Sequence, residues 1–370
     1  MEHTSRYGRI TWINCAKCVA ILAVLVDHTY QRLYDNQDIS KLSYFSVSMF
    51  ILLAGMTTYM SIENHPMGWM KNFFRLSKKI LSAYCLSVVV FYIVIYHSFD
   101  LENYIRFLFS FNITLPHYFV FLYLQLMIVS KGLWCIVKYC RGRWAILFEC
   151  IIFIIIAAVS LLTTKYTNVL NIYGGGGKLF GGTYLILFYI GMFIMKHYSL
   201  LRKVFYKQEQ ALSARRKKLW ILSGISLILV AAWWRYECID NFCIDSKLLL
   251  GDGINPPGII LTIMALFVLI VSYGMFTLLE QYKWTKNISV FVSWLGGYSM
   301  YIFLYHRLFE DYFLNQILFN NIWAKRFVYF SVMIGCPILI GFVVKIIRNW
   351  CKKVAAYGNS QILLRNQNIT

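Results

Sequence analysis

Apolar residues run along this chain in ten long stretches, and the polar residues collect between them. The stretches cover 12–31, 43–62, 80–97, 117–137, 144–164, 179–195, 219–234, 256–279, 288–310 and 327–344. Runs of about 17–25 apolar residues match the hydrocarbon core of a bilayer once they are coiled into helices. The pattern therefore predicts an all-α, polytopic transmembrane helical bundle of about ten spans. The longest connections are about 20 residues, so no soluble domain is expected between the spans. The expected organisation is a membrane domain over 1–345 and a basic and polar cytoplasmic tail over 346–370. The first stretch carries ionisable residues and lacks a small-residue cleavage site, so it reads as a span rather than a removable signal.

Composition agrees with that class. The chain is 59% hydrophobic and only 14% charged, against about 25% charged residues in ordinary soluble domains. Charge adds direction. With the N-terminus placed inside, the inner segments hold 24 Lys+Arg against 4 Asp+Glu, while the outer segments hold 9 of each and the spans 3 of each. The whole net charge of +20 thus lies on one side. The positive-inside rule then places both termini in the cytoplasm of a multi-pass protein of the cell's inner (cytoplasmic) membrane. Basic loops on an anionic leaflet account for the pI of about 9.5 without any nucleic acid. Ten cysteines show neither a C-x-x-C pair nor Cys/His metal spacing, so no metal is expected. Cys238 and Cys243 both fall in an outer connection, where a disulfide is open to them. The Gly174–Gly177 run reads as a flexible turn.

Candidate chemistry begins with two basic residues inside the first stretch, Lys17 and His28. Eleven helical steps bring the second to within roughly 20° of the first, about 16 Å further along the axis. Ionisable groups in a span are costly and by default mark a site or pathway. The bland alternative is that Lys17 snorkels to the headgroups while His28 bonds a neighbouring helix. Asp27 adjoins His28 but points about 100° away round the helix, toward some other partner.

Four further segments carry weight. Arg75 and Lys78 stand three apart at the start of a helix, so both cations face one cytoplasmic patch suited to a polyanion; a plain topological anchor is the alternative. Ala54 and Gly55, in Met49-Phe-Ile-Leu-Leu-Ala-Gly55, permit close helix approach. In Gly296-Gly-Tyr-Ser299 through Tyr305-His306, Ser299 and His306 share a face two turns apart, with His306 in the outer half of its span. His28 and His306 either line one cavity at similar depth or pack apart. His117, where the fourth span enters from outside, reads as an interfacial residue near water.

These segments in this order resemble acyltransferase family 3, the polytopic membrane O-acyltransferases that decorate surface polysaccharides. The resemblance runs from Arg9 to about Phe309. Arg9-Ile-Thr-Trp-Ile-Asn14-Cys-Ala-Lys17, followed by Ile21 through His28, looks like the family's first helix, and most like its sugar O-acetyltransferase branch. Met49 through Gly55 looks like the second-helix F-F-x-x-S-G pattern. Arg75-Leu-Ser-Lys78 resembles the cytoplasmic R-x-x-R element, and Gly296 to His306 the ninth-helix ending. Three departures stand out: Lys17 replaces the more usual Arg, Asn14 a frequent Asp, and Ala54 a Ser.

The resemblance implies transfer of an acetyl or other acyl group from cytoplasmic acetyl-CoA to a sugar hydroxyl of a surface polysaccharide or lipid-linked glycan. Lys17, Arg75 and Lys78 would then bind the coenzyme, a cosubstrate rather than a tightly bound cofactor. Neutral His28 would act as general base, or form an acyl-histidine. Ser299, Tyr305 and His306 would face the acceptor. The competing class is a transporter or flippase for a polyisoprenyl-linked sugar. Against it, the sequence offers no internal repeat and no reading of a discontinuous helix pair.

Overall fold

The computed structural model describes residues 10–34, 36–97, 100–111, 113–140, 144–165, 181–200, 212–240, 259–317 and 321–367. Among these there are helices and no strands. In chain order the helices are α1 (Thr11–Leu33), α2 (Gln37–Ser43), α3 (Ser46–Asn64), α4 (Trp69–Tyr96), α5 (Leu101–Ser110), α6 (Tyr118–Tyr139), α7 (Ala145–Lys165), α8 (Leu185–Lys196), α9 (Leu212–Asp240), α10 (Ile259–Gln281), α11 (Lys286–Gly297), α12 (Ser299–Tyr312) and α13 (Ile322–Gln367). Among the described residues eight helical segments are each long and apolar enough to cross a membrane, and α11 with α12 meets the same measure only as a bent pair, the form of a broken span or a re-entrant loop. The sixth apolar stretch, 179–195, holds the 3-10 turn Gly181–Tyr184 followed by the 12-residue α8. This is a multi-pass membrane protein.

The discontinuity between α11 and α12 corrects the expectation of unbroken spans. Gly296-Gly297 end α11, and Tyr298 interrupts the ladder before α12 begins. Glycines hold a helix weakly, which makes this the point of least resistance. Residues up to Ser299 form one compact unit, and those from Met300 a second.

Within the first unit, α1 is central and packs against α2, α3, α10 and α11. Glycine sets the closest crossings. A Cβ on Gly296 would lie 1.8 Å from the Asn14 carbonyl oxygen, so α11 meets α1 backbone to backbone. The α3–α8 pair does the same twice. A Cβ on Gly55 would meet the Phe188 carbonyl at 2.1 Å, and one on Gly191 the Leu52 carbonyl at 2.1 Å. The close approach read from Ala54-Gly55 is present, and its partner is the glycine of α8.

Between α4 and α6 the chain does something hydropathy does not report. After α4, His97 takes a left-handed conformation, and α5 starts on an Asp100 cap whose carboxylate accepts from the Glu102 amide at 3.0 Å. The helix then lies back along α4. Tyr92 meets Tyr104 and Phe107, and Tyr96 also meets Phe107. At its end the Tyr84 hydroxyl reaches the Phe107 and Leu108 carbonyls at 3.3 and 3.0 Å, satisfying groups a helix terminus leaves open. Phe111, also left-handed, stacks on the Tyr84 ring at 4.9 Å. Tyr84 lies twelve residues, or about 18 Å, before the end of α4, so the chain starts α6 well down the α4 flank.

That descent overturns the reading of His117 as an interfacial residue near water. His117 is wholly buried. Its Nε2 is 2.8 Å from the Ser87 hydroxyl, and the Tyr84 and Phe91 rings stand edge-on to it. An entrance histidine became a packed one because α5 carries the entrance inward.

The second unit holds α13 and nearly all of α12. Arg307 pairs with Glu310 at 3.2 Å and Asp311 at 3.6 Å. In α13 the helix runs through Pro337 without ending.

Candidate functional site

Helix α1 runs unbroken from Thr11 to Leu33, so the Lys17 to His28 phase expected from an ideal helix holds. Both side chains are half-buried, between positions such as Cys15, Ala16, Ala20, Leu25 and Thr29 that are fully covered. The lower end of α1 is fixed by several contacts. Trp12 Nε1 donates to the Tyr198 hydroxyl at 3.2 Å, and its ring meets Tyr273 edge-on at 5.1 Å. Cys15 Sγ donates to the Ser289 carbonyl at 3.3 Å. With Gly296 against Asn14, these contacts hold Lys17 at a set height and rotation.

One cation of α4, Lys79, bears on Lys17 electrostatically, its charge repelling that of Lys17. Lys78 and Lys79 are both exposed. Arg75 is engaged elsewhere: its Nη1 donates to the Ser61 hydroxyl at 2.8 Å, and its Nη2 to the Ser61 carbonyl at 3.0 Å and to Asn72 Oδ1 at 2.9 Å. This arginine closes the C-terminal end of α3 and ties α4 to it. Its Nε is buried with no hydrogen-bond partner among the described residues. Of the expected basic set, then, Lys17 feels the charge of the neighbour of Lys78, while most of the Arg75 fork is held by α3. Lys79 was within reach of sequence reasoning, since a residue four places on shares the Arg75 face as well as one three places on.

At the upper end, the Asp27 carboxylate acts electrostatically on the Tyr44 and Tyr118 hydroxyls. Tyr44 stands between α2 and α3; Tyr118 is the first residue of α6. Tyr118 in turn interacts with Tyr184, which is wholly buried and whose hydroxyl has no hydrogen-bond partner among the described residues. Asp27 thus looks to other elements, as its angle from His28 required. Sequence reasoning missed the two tyrosines because Tyr118 reaches this depth only through the α5 return.

The arrangement along α1 is a pair of cations below, a half-buried imidazole about 16 Å higher, and a carboxylate among phenols beside it. An anion is favoured at the first, proton transfer at the second, and hydroxyl recognition at the third. A family model for the acyltransferase domain matches residues 10–343, far more than half of the chain. The chain belongs to acyltransferase family 3. Searches of curated proteins and of solved structures each return no match. The match takes in α1 through most of the α13 span, so Lys17, His28 and the basic stretch of α4 all lie within the family's domain. It is a membrane acyltransferase.

The remaining expected residues of this acyltransferase sit at the α11–α12 junction and in the second unit. Ser299 opens α12 and is buried. Tyr305 is wholly buried, and its hydroxyl has no hydrogen-bond partner among the described residues. His306 is buried too, and its Nδ1 is 2.9 Å from the Phe303 carbonyl and 3.2 Å from that of Ile302. Those acceptors place the proton on Nδ1 and leave Nε2 as the ring's acceptor. Cys238 lies in the last turns of α9; Cys243 and the Gly174–Gly177 run lie outside the described residues.

Proposed function

We propose that this acyltransferase moves an acetyl group from acetyl-CoA to a sugar hydroxyl of a surface polysaccharide or lipid-linked glycan. The observation that carries the reading is the α1 stripe, with Lys17 under the charge of Lys79 at one end and His28 next to Asp27 at the other. Clustered cations repel, and an anion between them relieves that repulsion. The coenzyme's phosphates supply one. Lys17, Lys78 and Lys79 carry the charge, while Arg75 holds α4 against α3 and offers its remaining donors.

With the phosphates at the basic end, the pantetheine arm follows α1 upward over the roughly 16 Å to His28. Neutral His28 takes the proton of the acceptor hydroxyl, whose oxygen attacks the thioester carbonyl. The carbon–sulfur bond breaks, and the coenzyme thiolate leaves and is protonated. Tyr118 and Tyr44, gathered by Asp27, supply hydroxyls at the level where the acceptor sugar is bound. Ser299, Tyr305 and His306 are proposed as further acceptor contacts. The cell's inner membrane, with the basic side in the cytoplasm, gives the coenzyme access to the Lys17 end.

The deciding experiment has two arms. Acetyl-CoA added to purified protein raises its thermal stability, as binding to the native state must. Loss of the gene removes an acetyl mass from the envelope glycans of its host. A protein indifferent to acetyl-CoA overturns the choice of donor; an unchanged glycan profile overturns the choice of acceptor.

A further inference from the structure

Away from the α1 stripe, α9 and α10 leave between them an open, almost wholly apolar groove of about 300 Å³. Trp220, Gly224 and Leu227 line it from α9, Val271, Met275 and Leu278 from α10, and Tyr282 from the turn after α10. The α9 positions are spaced by four and three, and so are the α10 ones, so each helix gives the groove one continuous face. One turn before Trp220, on the same face, comes Arg216. Its guanidinium lies 4.6 Å over the Tyr282 ring at the end of the groove, and its Nε donates to Gln281 Oε1 at 3.3 Å. With one edge tied and its plane on a ring, the fork is held in orientation, and both Nη groups have no hydrogen bond among the described residues. Lys217 and Lys218 are exposed beside it. Trp284, in the turn after α10, is 93% exposed, the placing of an interfacial anchor.

Dimensions match one leaflet. From Arg216 to Leu227 is eleven residues, or about 16 Å, and half of a bilayer's hydrocarbon core is about 15 Å. A fixed arginine fork at one end and an apolar trough below it are complementary to a single kind of molecule, with an anionic head and a chain.

We propose that this groove seats an acyl chain of an anionic glycerophospholipid from the cytoplasmic leaflet, its phosphate held by Arg216. The site is separate from the α1 stripe and does not rest on the identity of acyl donor or acceptor. Gly224 is what opens the trough, since a Cβ built there meets nothing within 4 Å. A larger residue at that position fills the groove without disturbing the packing, which provides the test.

The full chain, purified in detergent, is titrated with phosphatidylglycerol or with phosphatidylcholine of the same acyl chains, and retained lipid is read by native mass spectrometry. Phosphatidylglycerol is expected to be retained about tenfold more than phosphatidylcholine at the same lipid-to-protein ratio. Arg216→Gln should erase that preference, and Gly224→Phe should lower retention of the anionic lipid about tenfold. Lys353→Ala, at an exposed lysine elsewhere, should leave both values unchanged. Equal retention of the two lipids in the unaltered chain overturns the proposal, as does an Arg216→Gln or Gly224→Phe variant that behaves like it. A Gly224→Phe variant that changes the number of subunits instead of lipid retention also overturns it, and assigns the groove to a second copy of the chain.

Discussion

Two histidines of this protein differ in what surrounds them, and that difference predicts how each tolerates replacement. His28 is half-buried on the stripe that begins at Lys17. His117 is wholly buried against Ser87, Tyr84 and Phe91. His28→Ala should lower acyl transfer about 10²–10⁴-fold, the usual loss when a general base is removed, with little change in melting temperature. His117→Ala should do the reverse: it leaves a cavity and removes the ring's bond to the Ser87 hydroxyl, which keeps its own bond to the Tyr84 carbonyl, at a cost of about 0.5–3 kcal/mol, while transfer per folded molecule persists. Product yield and thermal unfolding of both variants in the same detergent separate the two outcomes; full activity in the His28 variant overturns its catalytic role. At this scale the sequence was partly legible. The Lys17–His28 phase follows from helix geometry alone. The burial of His117 does not, because it depends on α5 folding back over α4. Lys79 is a second basic residue of α4 to test. Removing Lys78 and Lys79 together should weaken acetyl-CoA binding at least tenfold, at about 1.5–3 kcal/mol for each lost charged hydrogen bond, without loss of stability. Arg75→Ala should also lower the melting temperature, since it frees the end of α3. Calorimetric titration and thermal unfolding of these variants check both statements.

At the scale of elements, hydropathy found the ten apolar stretches and misjudged where helices begin. The third stretch starts at Ile80, yet α4 starts at Trp69, eleven residues earlier. Lys71, Arg75, Lys78 and Lys79 lower the apolar average there without breaking the helix, because charged side chains on a wet face are good helix formers. The 10-residue α5 escaped for a related reason, being short and amphipathic. Glycine crossings were half visible: Gly55 stood out in its motif, but nothing in the sequence paired it with Gly191. The α3–α8 contact yields a prediction. Gly55→Ala sets a methyl against the Phe188 carbonyl, where only 2.1 Å is available. Overpacking of this kind costs about 1–3 kcal/mol or more. Gly191→Ala meets Leu52 in the same way, so the double variant should be worse than either single one and not a rescue. Thermal unfolding of the three variants decides this.

At the scale of the whole molecule, charge asymmetry makes the topology testable. The segment 196–218 alone carries eight Lys+Arg, so reporter fusions near residue 215 and at residue 370 should both read as cytoplasmic. An outside signal at either point overturns the access route proposed for the coenzyme. Family membership over 10–343 agrees with a reading built from short apolar motifs whose order and spacing carried more information than any one of them.

The continuity of α1 has a consequence for insertions and deletions. Its lower part is clamped by Gly296 against Asn14 and by Cys15 on Ser289, so extra residues placed above Leu22 displace His28 and leave Lys17 where it is. One added alanine lifts the imidazole by only about 1.5 Å but swings it by about 100°, off the stripe. Four added alanines lift it by about 6 Å yet return it to within roughly 40° of its starting direction. Rotation and height can thus be varied almost independently in one helix. An active site that depends on direction tolerates the longer insertion better than the shorter one, whereas one that depends on reach ranks them the other way. The helix is, in effect, a vernier by which the protein itself can report which of the two its chemistry obeys.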